Sequence, residues 1–207
     1  MAIQPIPKNR YLVFALIASL GLFSDLYCKH LVFTDLGYPA GAPVPTADGV
    51  HQIFSAPQTL QGQSENYLTG WVSFQLYTSF NRGALWGIGQ NFTWIFASLS
   101  ILAALGLLYW LFVCGAARSM WLTICLSLIF SGTLGNLYDR LGWHGYLDAP
   151  NGEPLIAVRD FMLFTFGTYH WPIFNFADVF LVTGAIMLAI HSFQANATQL
   201  TERAKKT

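Results

Sequence analysis

The sequence predicts an α-helical membrane protein, with four transmembrane helices carrying a small extracytoplasmic β-sheet. Three observations lead there. Only 10% of the 207 residues are charged and 54% are hydrophobic, whereas a soluble domain usually carries about 25% charged residues. Four apolar runs are each long enough to supply the roughly 20 helical residues that a hydrocarbon layer requires. Between the first two runs lies a Gly-, Pro-, Ser- and Thr-rich segment whose stretch "WVSFQLYTSF", 71–80, alternates with the period of a half-buried strand.

The elements follow in order. The first span, 11–33, is apolar except for Asp25, Lys29 and His30. Its basic start suits a secretory signal, but Asp25 and Lys29 stand where a small-residue cleavage pattern belongs, so it reads as a retained helix. The second span, 92–117, and the third, 120–138, carry no charge, and the fourth, 171–192, contains Asp178. These runs are continuous and too long for barrel strands. Residues 1–207 therefore read as a single membrane-embedded domain with outer segments at 34–91 and 139–170.

Four spans put both termini on one side. That side holds Lys8, Arg10, Arg118, Arg203, Lys205 and Lys206, and the other holds Lys29, Arg82, Arg140 and Arg159. The excess of basic residues places the termini in the cytoplasm and the two long segments outside. A net charge of zero, with no basic patch, excludes a nucleic-acid surface. Cys28, Cys114 and Cys125 lie in apolar runs, fit no metal spacing and read as small buried side chains. No H-E-x-x-H pattern occurs, so neither a metal nor any other cofactor is expected.

The polar residues inside the spans point to chemistry. At about 1.5 Å per residue, Asp25 lies about 21 Å above the cytoplasmic end of the first span, and Asp178 about 21 Å above that of the fourth. Both fall beneath the outer surface of the bilayer, near the outer end of the third span with Asp139 and Arg140. Asn175 and Asp178 share a helix face, as do Asp25 and Lys29, and Asn136 and Arg140. Asp25–Lys29 and Asp139–Arg140 suit ion pairs that tether helices. The helix of Asp178 offers it no cation, and Asp160 stands in the outer segment leading back to it. Two carboxylates sharing such a site cannot both ionise easily, which provides an acid and a base around one water. The same pair would equally serve a proton relay in a small transporter, and ion pairs that only tie helices together are a third reading.

Five stretches in order, "DLYCK" (25–29), "NRGALWG" (81–87), "GTLGNLYDR" (132–140), "VRDF" (158–161) and "FNFAD" (174–178), resemble the lipoprotein signal peptidases, the signal peptidase II family. The resemblance covers nearly the whole chain. It implies a monomeric aspartic endopeptidase of the bacterial inner membrane, with four helices and a β cradle beside an active site near the outer leaflet. Its partners would be lipid-modified prolipoprotein signal peptides and membrane lipids, and the cut would fall before the lipid-modified cysteine. Mapped onto the family's motifs, the catalytic pair is Asp160 and Asp178. Asp25, Lys29, Asn81, Gly83, Gly132, Asn136, Arg140 and Asn175 match positions that line or support the site, and Asp139 takes a structural role. The chain departs from the family's pattern in longer outer segments, before Asn81 and after Arg140, and in Arg159, where the family commonly has an apolar residue.

Overall fold

In the computed structural model the four apolar runs are helices, and the structure describes residues 5–37, 43–46, 49–52, 66–68, 70–83, 92–148 and 152–204. Helix α1 is Lys8–Asp35, α2 Thr93–Leu108, α3 Met120–Arg140 and α4 Phe176–Ala204. A π-helical turn, Tyr109–Val113, prolongs α2. The second span thus stops at Val113 rather than at residue 117, because residues 116–118 turn into a 3₁₀ helix ahead of α3. All four helices are long and apolar enough to cross a membrane. Leu16, Leu20, Phe23, Leu102, Leu105, Val182 and Ile186 stand exposed on the bundle, as a lipid-facing surface requires.

Helix α3 is the centre of the bundle. Over its most apolar stretch 56% is buried, against 17% or less for the other three. Its composition explains this position. Thr123, Ser127, Ser131, Gly132, Gly135 and Asn136 form its buried side, and small residues let membrane helices approach closely. The hydroxyls of Thr123, Ser127 and Thr133 donate to carbonyls one turn back, so none is left unpaired in lipid. Gly132 lies against the backbone carbonyl of Ala177 and Gly135 against the carboxylate of Asp25, where a Cβ would collide. Gly132→Val is therefore expected to force α3 and α4 apart and cost about 1–3 kcal/mol, the usual penalty of overpacking. A thermal midpoint in detergent equal to the parent's would show that the two helices have room to spare.

The strands gather at one end of the bundle. Strands β1 (Pro43–Thr46) and β2 (Gly49–Gln52) form a hairpin, and β5 (Leu147–Asp148) pairs with β6 (Glu153–Pro154). The main sheet is antiparallel, ordered β3 (Asn66–Leu68), β4 (Val72–Asn81), β7 (Val158–Phe166) and β8 (Tyr169–His170). The alternating stretch 71–80 is thus a strand, as its pattern predicts. Strand β7, by contrast, is an almost continuous apolar run, buried from Val158 to Leu163. Phe33 of α1 meets Phe80 of β4, which seals the sheet onto the helices. Across the sheet Ser79 opposes Asp160 and Asn81 opposes Val158, and an extra β4 residue between Leu76 and Ser79 bulges the ladder just before this point. Bulges re-aim the side chains beside them.

The fourth helix begins at Phe176, not at residue 171. Trp171 donates its N–H to Phe164 O at 2.8 Å, and Phe174 pairs with Met162, so residues 171–174 extend the sheet. The ring of Pro172 disfavours helical backbone angles at Trp171. The long segment after Arg140 also folds back on itself. His144 accepts from the Tyr146 N–H at Nδ1 and bonds Ala157 O through Nε2 at 3.2 Å. Burial lowers the His144 pKa, which favours the neutral ring that these two bonds need. Of the three cysteines only Cys125 is buried; Cys28 is half-buried and Cys114 exposed. The expectation of three buried thiols is corrected here, because apolar runs in this fold face lipid as often as protein.

Candidate active site

The first turn of α4 organises the site. A helix begins with four backbone N–H groups that have no partner in their own helix, and none can be left bare in an apolar medium. Asn175, the residue before the helix, accepts the Asp178 N–H on Oδ1 at 3.1 Å. Asp178 returns the bond by accepting the Asn175 N–H on Oδ2 at 3.2 Å, a reciprocal capping box. A third N–H, from Ala177, goes to Asp25 of α1 at 2.8 Å. The carboxylate and amide that open this apolar helix are thus the groups that allow it to start there.

The side-chain amide of Asn175 still has hydrogens to give. Its Nδ2 donates to Asp160 Oδ1 and to Asn136 Oδ1. Asp160 accepts a second bond on Oδ2, from Asn81 Nδ2 at 3.0 Å. Asn81 is held by the Gly83 N–H, which bonds its Oδ1 at 3.0 Å and so points Nδ2 at the carboxylate. Asp178 Oδ1 accepts from Asn136 Nδ2 at 2.8 Å. Both carboxylates therefore contact Asn175, one through its side chain and one through its backbone. Asp160 is only 3% exposed. Burial, and next the negative charge of Asp178, push its pKa up to about 8, against the pull of Asn81, Lys29 and Asn175.

Behind the pair lies a fully buried ammonium. Lys29 Nζ is 2.7 Å from Asp25 and 3.1 Å from Asp139, and donates to Asn136 Oδ1 at 3.3 Å. Asp139 does not pair with Arg140, as the sequence suggests. It takes Arg159 instead, accepting Nη2 at 2.8 Å and Nε at 3.1 Å on Oδ1. The Arg159 backbone N–H adds a third bond, to Oδ2 at 3.0 Å. Adjacent helical residues point about 100° apart, so Asp139 and Arg140 cannot share a face. Arg140 turns the other way, over the Phe96 ring at 5.6 Å.

Arg140, Asn81, Gly83, Asp160 and Asp178 line the polar part of a cavity of about 420 Å³, and Trp171, Phe174, Val179 and Val182 line its apolar part. The cavity thus runs from two carboxylates to Val182, which is 58% exposed on the bundle. The structure brings together Asp25, Lys29, Asn81, Gly83, Asn136, Arg140, Asp160, Asn175 and Asp178. Gly132 stands beside them as a contact point of α3 with Ala177. Residues 84–87 of "NRGALWG" lie outside the described residues. Sequence reasoning missed the role of Arg159, whose partner lies twenty residues away with no local spacing to betray it. It also missed the apolar wall from Trp171 to Phe174, which was read as helix. Among the described residues no three His, Cys, Asp or Glu side chains gather as a metal site would need.

Two carboxylates line one cavity of a four-helix membrane protein, an arrangement that can hold an acid and a base around one water. Comparison with known proteins gives the family. The family model described as signal peptidase (SPase) II matches residues 17–194. A lipoprotein signal peptidase of Rhodopirellula baltica is 39% identical over 188 residues, covering 90% of this chain and 74% of its own length. One from Clostridium novyi is 33% identical, covering 69% of this chain and 87% of its own. A bacterial membrane enzyme solved by the in meso method at 2.3 Å shares the fold, with a TM-score of 0.61 at 24% identity over 89% of this chain and 90% of that one. The chain belongs to the signal peptidase II family, and is thus an aspartic peptidase embedded in the membrane.

Proposed function

We propose that this chain removes the signal peptide from diacylglyceryl-modified prolipoproteins, cutting just before the lipid-modified cysteine, with Asp160 and Asp178 as its catalytic pair. The observation that carries this reading is that both carboxylates bond to Asn175 and line one cavity. The printed name of the relatives, lipoprotein signal peptidase, supports the substrate class. Asp160, holding the shared proton, donates it toward the scissile carbonyl oxygen. Asp178 takes a proton from the attacking water and passes it to the departing amine, and as the C–N bond breaks Asp160 recovers its proton from a hydroxyl of the tetrahedral intermediate. Asn81 and Asn175 hold Asp160 in place, Asn136 holds Asp178, and Arg140, set over the Phe96 ring at the cavity wall, faces the carbonyl or the lipid ester. Asp25 and Lys29 fix the start of α4, and Gly132 and Gly83 permit close backbone approach. No metal, cofactor or covalent intermediate enters.

The same reading puts the protein in the bacterial inner membrane with both termini cytoplasmic and the site near the outer leaflet. The diacylglyceryl chains stay among membrane lipids beside Val179 and Val182 while the peptide enters the polar end. A single chain suffices, since one chain supplies every group of the site. A proton relay finds less support: beyond Asp178 the cavity walls on α4 are Val179, Val182 and Thr183.

The test is cleavage by the purified chain in lipid vesicles. A diacylglyceryl precursor is expected to be cut and its unlipidated form spared; an intact lipidated precursor overturns the proposal. In the same assay the rate is expected to fall as pH rises through about 8, where Asp160 loses its proton. A rate that stays flat well above that value puts the acid elsewhere. The shift also has a sign for stability. Between 3.8 and about 8 the folded state keeps a proton that the unfolded carboxyl has lost, so stability drops as pH climbs through this window.

A further inference from the structure

We infer that Arg159 is a positioning residue for the carboxylate pair, holding Asp160 in place and setting its proton affinity by cancelling the charge of Asp139. Three bonds join Arg159 to that one carboxylate, two from the guanidinium fork and one from its backbone N–H. The backbone bond matters because Arg159 immediately precedes Asp160. It ties the strand to α3 one residue from the acid; on that edge of β7 the pairing with β8 and with residues 171–174 runs from Phe166 only as far as Phe161.

The contacts also close a ring. From Asp160 the chain leads to Arg159, then through Asp139, Lys29 and Asn136 to Asp178, and Asn175 joins Asp178 back to Asp160. Asp25, Lys29, Asp139 and Arg159 are all 4% exposed or less. Two negative and two positive charges balance in this cluster. Without Arg159 the cluster turns net negative, and Lys29 alone must answer both Asp25 and Asp139. The groups that face Asp160 are then Asp178 from α4, Arg140 and Asp139 from α3, Lys29 and Asp25 from α1, and neutral Asn81 from β4. An added negative charge among them holds the proton on Asp160 more tightly.

The inference rests on the peptidase reading only for its importance, since the measurement needs no turnover. The full-length protein in lipid vesicles is titrated by infrared spectroscopy, following the protonated-carboxyl band that Asp160→Asn removes. Arg159→Met is expected to raise the midpoint by about one pH unit, the scale of losing one nearby opposite charge. Asp139→Asn with Arg159→Met restores the balance and is expected to return the midpoint to the parent's. Arg159→Lys, which keeps the charge but not the fork, is expected to hold it. An unmoved midpoint in Arg159→Met, or a double or Lys variant displaced upward, overturns the inference. If Arg159→Met does not fold, the double and Lys variants decide by the same criterion. Midpoints that move as described in a protein that cuts no precursor would sink the peptidase reading and leave this one standing.

Discussion

Asp178→Asn is expected to abolish cleavage of a diacylglyceryl precursor, by on the order of 10³-fold, as removal of a general base does, while the protein still folds. The argument for both halves comes from one carboxylate. Oδ2 of Asp178 caps the helix by accepting the Asn175 N–H, and an Asn side chain keeps one oxygen for that bond. Its other oxygen accepts from Asn136 Nδ2. An amide nitrogen placed there faces a donor and strands one pair of hydrogens, at a cost of about 1–3 kcal/mol. The substitution thus removes the base and weakens, without erasing, the start of α4. Asp160→Asn is expected to be as inert, since an amide has no acidic proton to give. The measurement is processing in vesicles beside a thermal midpoint. Activity near the parent rate in either variant ends the assignment of the pair. Loss of the protein itself, rather than of its activity, would favour the reading in which the acids only tether helices.

Lys29→Met is expected to have the largest effect on stability, about 3–5 kcal/mol, the range for breaking a buried ion pair. The ammonium is fully buried and answers two carboxylates at once, Asp25 at 2.7 Å and Asp139 at 3.1 Å. Arg159 shares the load of Asp139 only; among the described residues Asp25 has no second cation. Removing Lys29 leaves Asp25 charged at the foot of α4, where it also holds the Ala177 N–H. Asp25→Asn combined with Lys29→Met should recover much of the loss, because the neutral amide still accepts that bond. A fall in thermal midpoint in the single variant, partly reversed in the double, is the outcome that this geometry requires. Equal midpoints for parent and single variant would mean that the ammonium holds nothing in place.

The helices could be read from the sequence because a bilayer imposes a length, and a run of twenty apolar residues meets it whatever its neighbours are. Strand β4 could be read because its apolar residues alternate: Phe74, Leu76 and Phe80 pack against the buried cluster of Val32, Phe33, Phe161 and Met162. Strand β7 could not, since burial on both faces removes the alternation, and after Arg159 and Asp160 the stretch "FMLFTF" reads only as an apolar run. The start of α4 was misjudged for a related reason. Trp171 to Phe174 are as apolar as the helix they precede, and only the pairing with β7 separates them. Within the site, Asn175 and Asp178 were readable as one face of one helix. The joining of Asp178 to Asp160 through Asn175 is a tertiary contact, and the resemblance to a known family, not spacing, supplied that partner. Asp139 shows the opposite failure. Its sequence neighbour Arg140 looked like its counter-ion, while the fold gives it Lys29 and Arg159 from distant elements.

The bond from Asp25 to the Ala177 N–H ties the first helix of the structure to the first turn of the last. Neither carboxylate of the pair reaches its final surroundings until α1, α3, β4 and β7 are already in place to receive α4. A nascent chain halted before its last helix lacks one acid outright and the amide that joins it to the other. Packing of the bundle and completion of the pair are therefore one event, since no part of the molecule without α4 holds both acids.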